Sequence, residues 1–217
     1  ISISKGAKIS SDAALLAIEH EIDVLFVENS GTPVGRLWSI KYGSVSTIRR
    51  KQLDFTFSPE AVDWIKGIVI QKIDNQVALI LTMELHNTVR DKAINRLSEY
   101  KRKISELNGE IVSDIGPSLR GWEGAASRMY VDCISSILPE ELKFEGRSQH
   151  PALDAFNCLL NYGYGILYGK IEGALIKAGI DPYVGVFHRD DYNRPVLVFD
   201  IIEIYRVWID YVVINLA

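Results

Sequence analysis

Cysteine is scarce: Cys133 and Cys158 are the only two, they form no CxxC or Cys/His cluster, and each falls among apolar residues at helical spacing. That excludes a disulfide-built fold and a cysteine-held zinc module, and it predicts reduced core thiols such as a cytoplasmic protein carries. No stretch is long, apolar and uncharged enough to predict a membrane span. Basic charge is also short, with 24 Lys and Arg against 28 Asp and Glu for a net −4. Nucleic-acid binding therefore cannot rest on bulk charge and would need a local basic surface. The chain opens ISISKG, with neither an initiator methionine nor a signal-peptide core, and reads as a soluble fragment.

What is there is apolar side chain: 47% of the 217 residues, enough for a sizeable core in one or two domains. Up to about residue 57, short β-rich segments alternate with turn signals. IDVLFVEN is followed by SGTPVGRLWSI, punctuated by Gly31, Pro33 and Gly35. Between the first segments SSDAALLAIEH predicts a short helix capped by Ser10 or Ser11, with Ala14, Leu15 and Ile18 inward. At FSPEAVDW the character changes, because Ser58 can cap, Pro59 suits the first helical position and Glu60 faces the positive helix end. Helices are predicted at 61–83, through DKAINRLSEYKRKISEL to Asn108 and Gly109, at about 117–138, at 152–178, and across VLVFDIIEIYR. The fold class is α+β, with a small β-rich, β-sandwich-like domain over 1–57 followed by an all-α domain over 58–217.

The last helix sets the chemical question. Asp200, Glu203 and Arg206 recur every three residues in an otherwise apolar run, so they form one polar stripe on a mostly buried helix. Burying two carboxylates without a cation would cost several kcal/mol, so the stripe asks for a positive partner. Arg206 could supply it, and so could a metal ion. In LRGWEGAASRMY, Arg120, Glu123, Ser127 and Tyr130 share a helical face, either around a functional Glu123 or as a plain Arg120–Glu123 surface pair. His188 closes DPYVGVFH as a ligand or a hydrogen-bonded structural histidine, and Asp190 and Asp191 read as solvated loop charges. Glu123, His188, Asp200 and Glu203 together would make a hard-oxygen site with one imidazole, suited to Mn²⁺ or Mg²⁺. In the Gly-studded helix after Asn157, Asn161 and Tyr162 are candidates for a supporting role, against a core or interface reading for its tyrosines.

Read in order, ISSDAALLAIEHEIDVLFVENSGTPVGRL, RRKQL, KIDNQ, LRGWEGAASRMY, FEGR, NCLLNYGYGILYGKIEGALIKAGIDPYVGVFH and VLVFDIIEIYR resemble the CRISPR-associated endonuclease and integrase family of spacer acquisition. The resemblance implies a prokaryotic, cytoplasmic homodimer with an N-terminal β domain and a helical catalytic domain. It implies metal ligands and catalytic residues at Glu123, His188 and Asp200, with Glu203 at a neighbouring acidic position, and Mg²⁺ or Mn²⁺ as the cofactor. It further implies attack of a DNA 3′-hydroxyl on a phosphodiester of the CRISPR repeat, and a small second CRISPR adaptation protein as partner. For DNA phosphates the sequence offers Arg120, Arg128, Arg147, Arg194 and Arg206, with Arg49–Lys51 and Lys101–Lys103 as weaker candidates. Set against the family, the chain is expected to start inside the β domain, and it ends at DYVVINLA where the resemblance implies further helices. The alternative reading is a catalytically silent DNA-binding scaffold.

Overall fold

A computed structural model describes residues 1–29, 33–40, 46–149, 151–188 and 194–217. Strands β1 (Ser2–Ser4), β2 (Val24–Val27) and β3 (Pro33–Leu37) form one sheet in that order. β1 and β2 run parallel while β2 and β3 run antiparallel, with Leu25 opposite Arg36 and a register shift at Phe26/Val27. Parallel neighbours need a crossover, and helix α1 (Ser11–Glu19) supplies it. Ser10 caps α1, its Oγ accepting from the Ala13 N–H at 3.2 Å.

Several expectations for this part change. The described residues hold one three-stranded sheet and no second sheet packed on it, so the sandwich-like description is not met. Pro33 and Gly35 lie within β3, and Gly31 lies outside the described residues. In α1 the buried residue is Ala17, whereas Leu15 is 63% exposed. Residues 46–56, taken into the β-rich segment, form helix α2 (Ser46–Thr56). Gln52 docks α2 against a distant turn, donating to Asp181 O at 3.0 Å and accepting from its N–H at 2.9 Å.

The remainder is helical: α3 (Pro59–Thr82), α4 (Asn87–Ser105), α5 (Val112–Ile137), α6 (Ala155–Lys177) and α7 (Val196–Leu216). α3 starts where its local chemistry says it should, with Pro59 in the first turn and Ser58 Oγ accepting from the Ala61 N–H at 3.3 Å. α5 starts five residues before the predicted position, since Asp114 Oδ2 accepts from the N–H groups of Glu110 and Ile111 at 3.0 and 3.1 Å. Pro117 then lies inside the helix at the cost of one backbone bond. α3 lies among α4, α5 and α7, and α6 packs on α7. Ile65, Ile73, Ile80, Leu97, Leu119, Phe156 and Val198 are almost fully buried between them, each burial contributing about 1.5–3 kcal/mol. Cys133 is in this core, but Cys158 is exposed, against the expectation of two core thiols. No helix among the described residues is long and apolar enough to cross a membrane.

Arg36 ties the sheet to α6. Its guanidinium donates to the Gly169 carbonyl and pairs with Asp23 at 3.4 Å and Glu172 at 3.3 Å. A Cβ at Gly173 would fall 2.1 Å from Arg36 Nη1, so the glycine there makes room for this contact.

Candidate metal centre

Asp200 is wholly buried near the start of α7, and among the described residues its carboxylate is hydrogen-bonded by the segment just before that helix. Its Oδ2 accepts from the N–H groups of Val186 at 2.7 Å and Phe187 at 3.2 Å. Oδ1 accepts from the His188 N–H at 3.2 Å and lies 2.7 Å from His188 Nδ1. The carboxylate thus holds the Nδ1 proton and turns the ring so that Nε2 is the nitrogen left to ligate. The Asp200 hydrogen bond raises the imidazole pKa above its usual value against the opposing effect of burial, and the fields of Glu203 and Glu123 add to the rise.

One turn further along α7, Glu203 points at a different set of partners. Its Oε1 is 2.9 Å from Arg206 Nη2, and its Oε2 is 2.5 Å from the ammonium of Lys72 on α3. The same ammonium lies 2.5 Å from Glu123 Oε1 on α5, so the two carboxylates are at most twice that distance apart. Burial alone would raise the Glu203 pKa, but Lys72 and Arg206 outweigh it and hold the group at about 2. Burial likewise opposes the charge on Lys72, and Glu203 and Glu123 more than restore it, leaving the ammonium above its ordinary value.

The fold therefore gathers Glu123, His188, Asp200 and Glu203. Asp200, expected as a ligand, has both oxygens turned to backbone N–H groups and the histidine ring. The Arg120–Glu123 surface pair is not formed among the described residues: Glu123 pairs with Lys72, and Arg120 lies over the Phe187 ring at 5.3 Å, beside His188. Asn161 stands off the carboxylates and braces Arg147, accepting from its Nη2 at 2.5 Å. Tyr162 is 58% exposed and faces the sheet, lining a cavity of about 130 Å³ with Ile1, Leu25 and Pro33. Tyr164 is the tyrosine next to the centre, with the guanidinium carbons of Arg147 and Arg206 over its ring at 5.1 and 4.9 Å. Arg206, expected at the DNA, is thus turned inward. Arg128 and Arg194 are exposed. Arg49 pairs with Asp181 at 2.7 Å and Arg102 with Glu106 at 2.6 Å, while Lys101 pairs with Asp74. Asp190 and Asp191 lie outside the described residues.

Two carboxylates and an imidazole are a donor set that suits Mg²⁺ or Mn²⁺. Glu203 Oε2 is buried, and its contact among the described residues is the Lys72 ammonium at 2.5 Å. That oxygen already holds a cationic group, so both its position and the chemistry of the donor set fit a cation. As they stand, the described residues hold no set of three or more His, Cys, Asp or Glu gathered tightly enough for a metal, and the ammonium contacts both glutamates.

A family model described as CRISPR associated protein Cas1 matches residues 1–217, the whole chain. The chain belongs to the Cas1 family. A protein named CRISPR-associated endonuclease Cas1 1 from Archaeoglobus fulgidus is 33% identical over 214 residues, covering 92% of this chain and 62% of that protein. Another, named CRISPR-associated endonuclease Cas1 2, from Saccharolobus solfataricus, is 31% identical over 218 residues, covering 99% of this chain and 62% of its own length. The chain thus spans about three-fifths of each. A solved structure described as a Cas6-RT-Cas1–Cas2 complex superposes with a TM-score of 0.80 at 26% identity, over 99% of this chain and 23% of the matched one. The Cas1 protein of Thermotoga maritima, at 22% identity over 99% of this chain and 66% of its own, shares the fold with a TM-score of 0.79.

Within this Cas1-family chain, sequence reasoning missed Lys72. The signal was available: Ile65, Ile68, Val69, Ile73, Gln76, Leu79 and Ile80 make the buried face of α3, and Lys72 lies on it. A lysine on an apolar face needs an anionic partner, just as the stripe on α7 needs a cationic one.

Proposed function

We propose that the chain carries the catalytic centre of a divalent-metal-dependent DNA endonuclease and integrase that inserts new spacers into a CRISPR array. The observation that carries this is the convergence of Glu123, Glu203 and His188, with Asp200 fixing the histidine from behind. Glu123, Glu203 and His188 Nε2 would hold the ion, and Asp200 acts through His188. When bound, Mg²⁺ or Mn²⁺ supplies Lewis-acid stabilisation of charge at a phosphoryl oxygen.

The protein groups do the rest. Arg206 keeps Glu203 ionised and aimed, because it is fixed between that carboxylate and the Tyr164 ring. Arg120, exposed beside Phe187, supplies a charge for a DNA phosphate next to His188. Arg128 and Arg194 extend that grip, and Arg147 stiffens the loop braced by Asn157 and Asn161. The reaction is a transesterification: the 3′-oxygen of a short DNA forms a bond to a repeat phosphorus as the bond from that phosphorus to the repeat's own 3′-oxygen breaks. No covalent link to the protein is needed, and with water as nucleophile the same centre cleaves DNA.

Residues 58–217 would be the catalytic domain and residues 1–57 the dimerising one, in the cytoplasm of a prokaryote. The partners are a second copy of the chain, duplex or branched DNA and a small second adaptation protein. The likeness to a chain of a complex whose description includes Cas2 supports the last of these. One observation favours a second reading, a catalytically silent DNA-binding scaffold: Lys72 and Arg206 already neutralise Glu123 and Glu203.

The test is a joining assay with the complete protein, a plasmid bearing a CRISPR repeat and a short duplex ending in a 3′-hydroxyl. Joined product is expected with Mg²⁺ or Mn²⁺, and none with EDTA or with 3′-deoxy ends. Joining in EDTA, or no joining with any divalent ion, would overturn the proposal.

A further inference from the structure

We infer that Lys72 is a resident counter-cation of this centre, whose ammonium must leave the gap between Glu123 and Glu203 before a divalent ion can enter. The inference rests on the metal centre proposed above and adds an occupant to it. The Lys72 side chain is 9% exposed, and its ammonium touches both carboxylates at 2.5 Å. A divalent ion drawing on Glu123 Oε1 and Glu203 Oε2 would claim the same space, and two cations there would repel at contact distance.

The chain decides which cation yields. Arg206 is held by Glu203 Oε1 at 2.9 Å and by the face of Tyr164 at 4.9 Å, and a planar guanidinium fixed on two sides has little freedom. Lys72 carries a point charge on a flexible four-carbon stem, and its ties are the two carboxylates. The lysine therefore moves while the arginine stays. Removing Lys72 leaves two close carboxylates, Glu203 largely buried and Glu123 partly so, with Arg206 on Glu203 as the remaining partner, which weakens the metal-free fold and strengthens the pull on a divalent ion. Loading thus becomes an exchange of one cation for another, and scarce or weakly held ions are turned away by the protein's own charge.

The experiment is Mn²⁺ calorimetry at fixed pH on the complete protein, comparing wild type with Lys72→Met, Lys72→Gln, Lys72→Arg and Glu203→Gln, together with thermal melts in EDTA. Lys72→Met and Lys72→Gln should bind Mn²⁺ at least tenfold more tightly than wild type, and melt lower in EDTA with most of the loss restored by Mn²⁺. Lys72→Arg should show no gain. If wild type binds Mn²⁺ and neither neutral variant gains, the inference falls while the metal centre stands. If neither wild type nor the neutral variants bind, both fall. Should the neutral variants fail to fold, the wild type still decides: a protected lysine ammonium resonance in the metal-free protein should move on saturation with Mg²⁺, and one that stays in place overturns the inference.

Discussion

Asp200 and His188 are joined twice, through the backbone N–H of His188 at 3.2 Å and through its Nδ1 at 2.7 Å, both on Oδ1 of the same buried carboxylate. Asp200→Asn places an amide where the ring now has an acceptor, and the proton shifts toward Nε2. Metal affinity should fall about 10- to 100-fold, the usual cost of losing a ligand's outer partner. Calorimetry with Mn²⁺ measures the loss, and ring ¹⁵N shifts of His188 report the tautomer. Wild-type affinity with an unchanged tautomer would contradict this role for Asp200.

Glu203 gives the metal-free protein an acid limit. Its pKa is lowered from the ordinary 4.5 to about 2, with Lys72 and Arg206 overcoming the effect of burial. A depressed carboxylate stabilises the fold fully above its unfolded value, and that contribution is lost as pH falls from 4.5 through 2. In EDTA, the stability difference between wild type and Glu203→Gln should shrink across that window. A difference independent of pH there would show that the ion cluster does not hold Glu203 charged.

Arg120 and Arg206 should separate in DNA-binding assays. Arg120 is exposed over Phe187, so Arg120→Ala should weaken binding for all sequences alike and flatten the log-log salt slope by about 0.9, one phosphate contact. Arg206 is turned to Glu203 and Tyr164, so Arg206→Ala should cost mainly stability. Salt titrations of both variants check this, and an unchanged slope in Arg120→Ala would count against it.

Asp210 anchors the polar interior of the bundle behind the centre. Tyr130 donates to its Oδ2 at 2.8 Å and Tyr164 donates to its Oδ1. Asp210→Ala leaves two buried phenols without their acceptor and should cost about 3 kcal/mol in urea unfolding. Burial pushes the Asp210 pKa up despite those donors, so the neutral Asp210→Asn should lose less.

Local chemistry was readable in the sequence where it is truly local. Ser58 and Pro59 start α3 because a cap and a proline need no distant partner, and Asp200 and Glu203 share a side of α7 because helical spacing puts them there. The division of labour between those two acids was not readable. It depends on the backbone path of residues 186–188, which turns its N–H groups onto Asp200, and on Lys72 reaching Glu203 from another helix. Tyr162 shows the same limit: two residues from Tyr164 on α6, it faces the sheet while Tyr164 faces the arginines. Helix α2 escaped notice because its docking is through Gln52 to Asp181, a contact between residues 129 positions apart.

The most direct measurement is the anomalous scattering of Mn²⁺ in crystals of the protein. The peak is expected between Glu123, His188 Nε2 and Glu203, with Lys72 moved aside and Asp200 still bonded to His188 Nδ1. A peak ligated by Asp200 in place of Glu203, or no peak at this centre while the crystals hold Mn²⁺, would contradict the assignment.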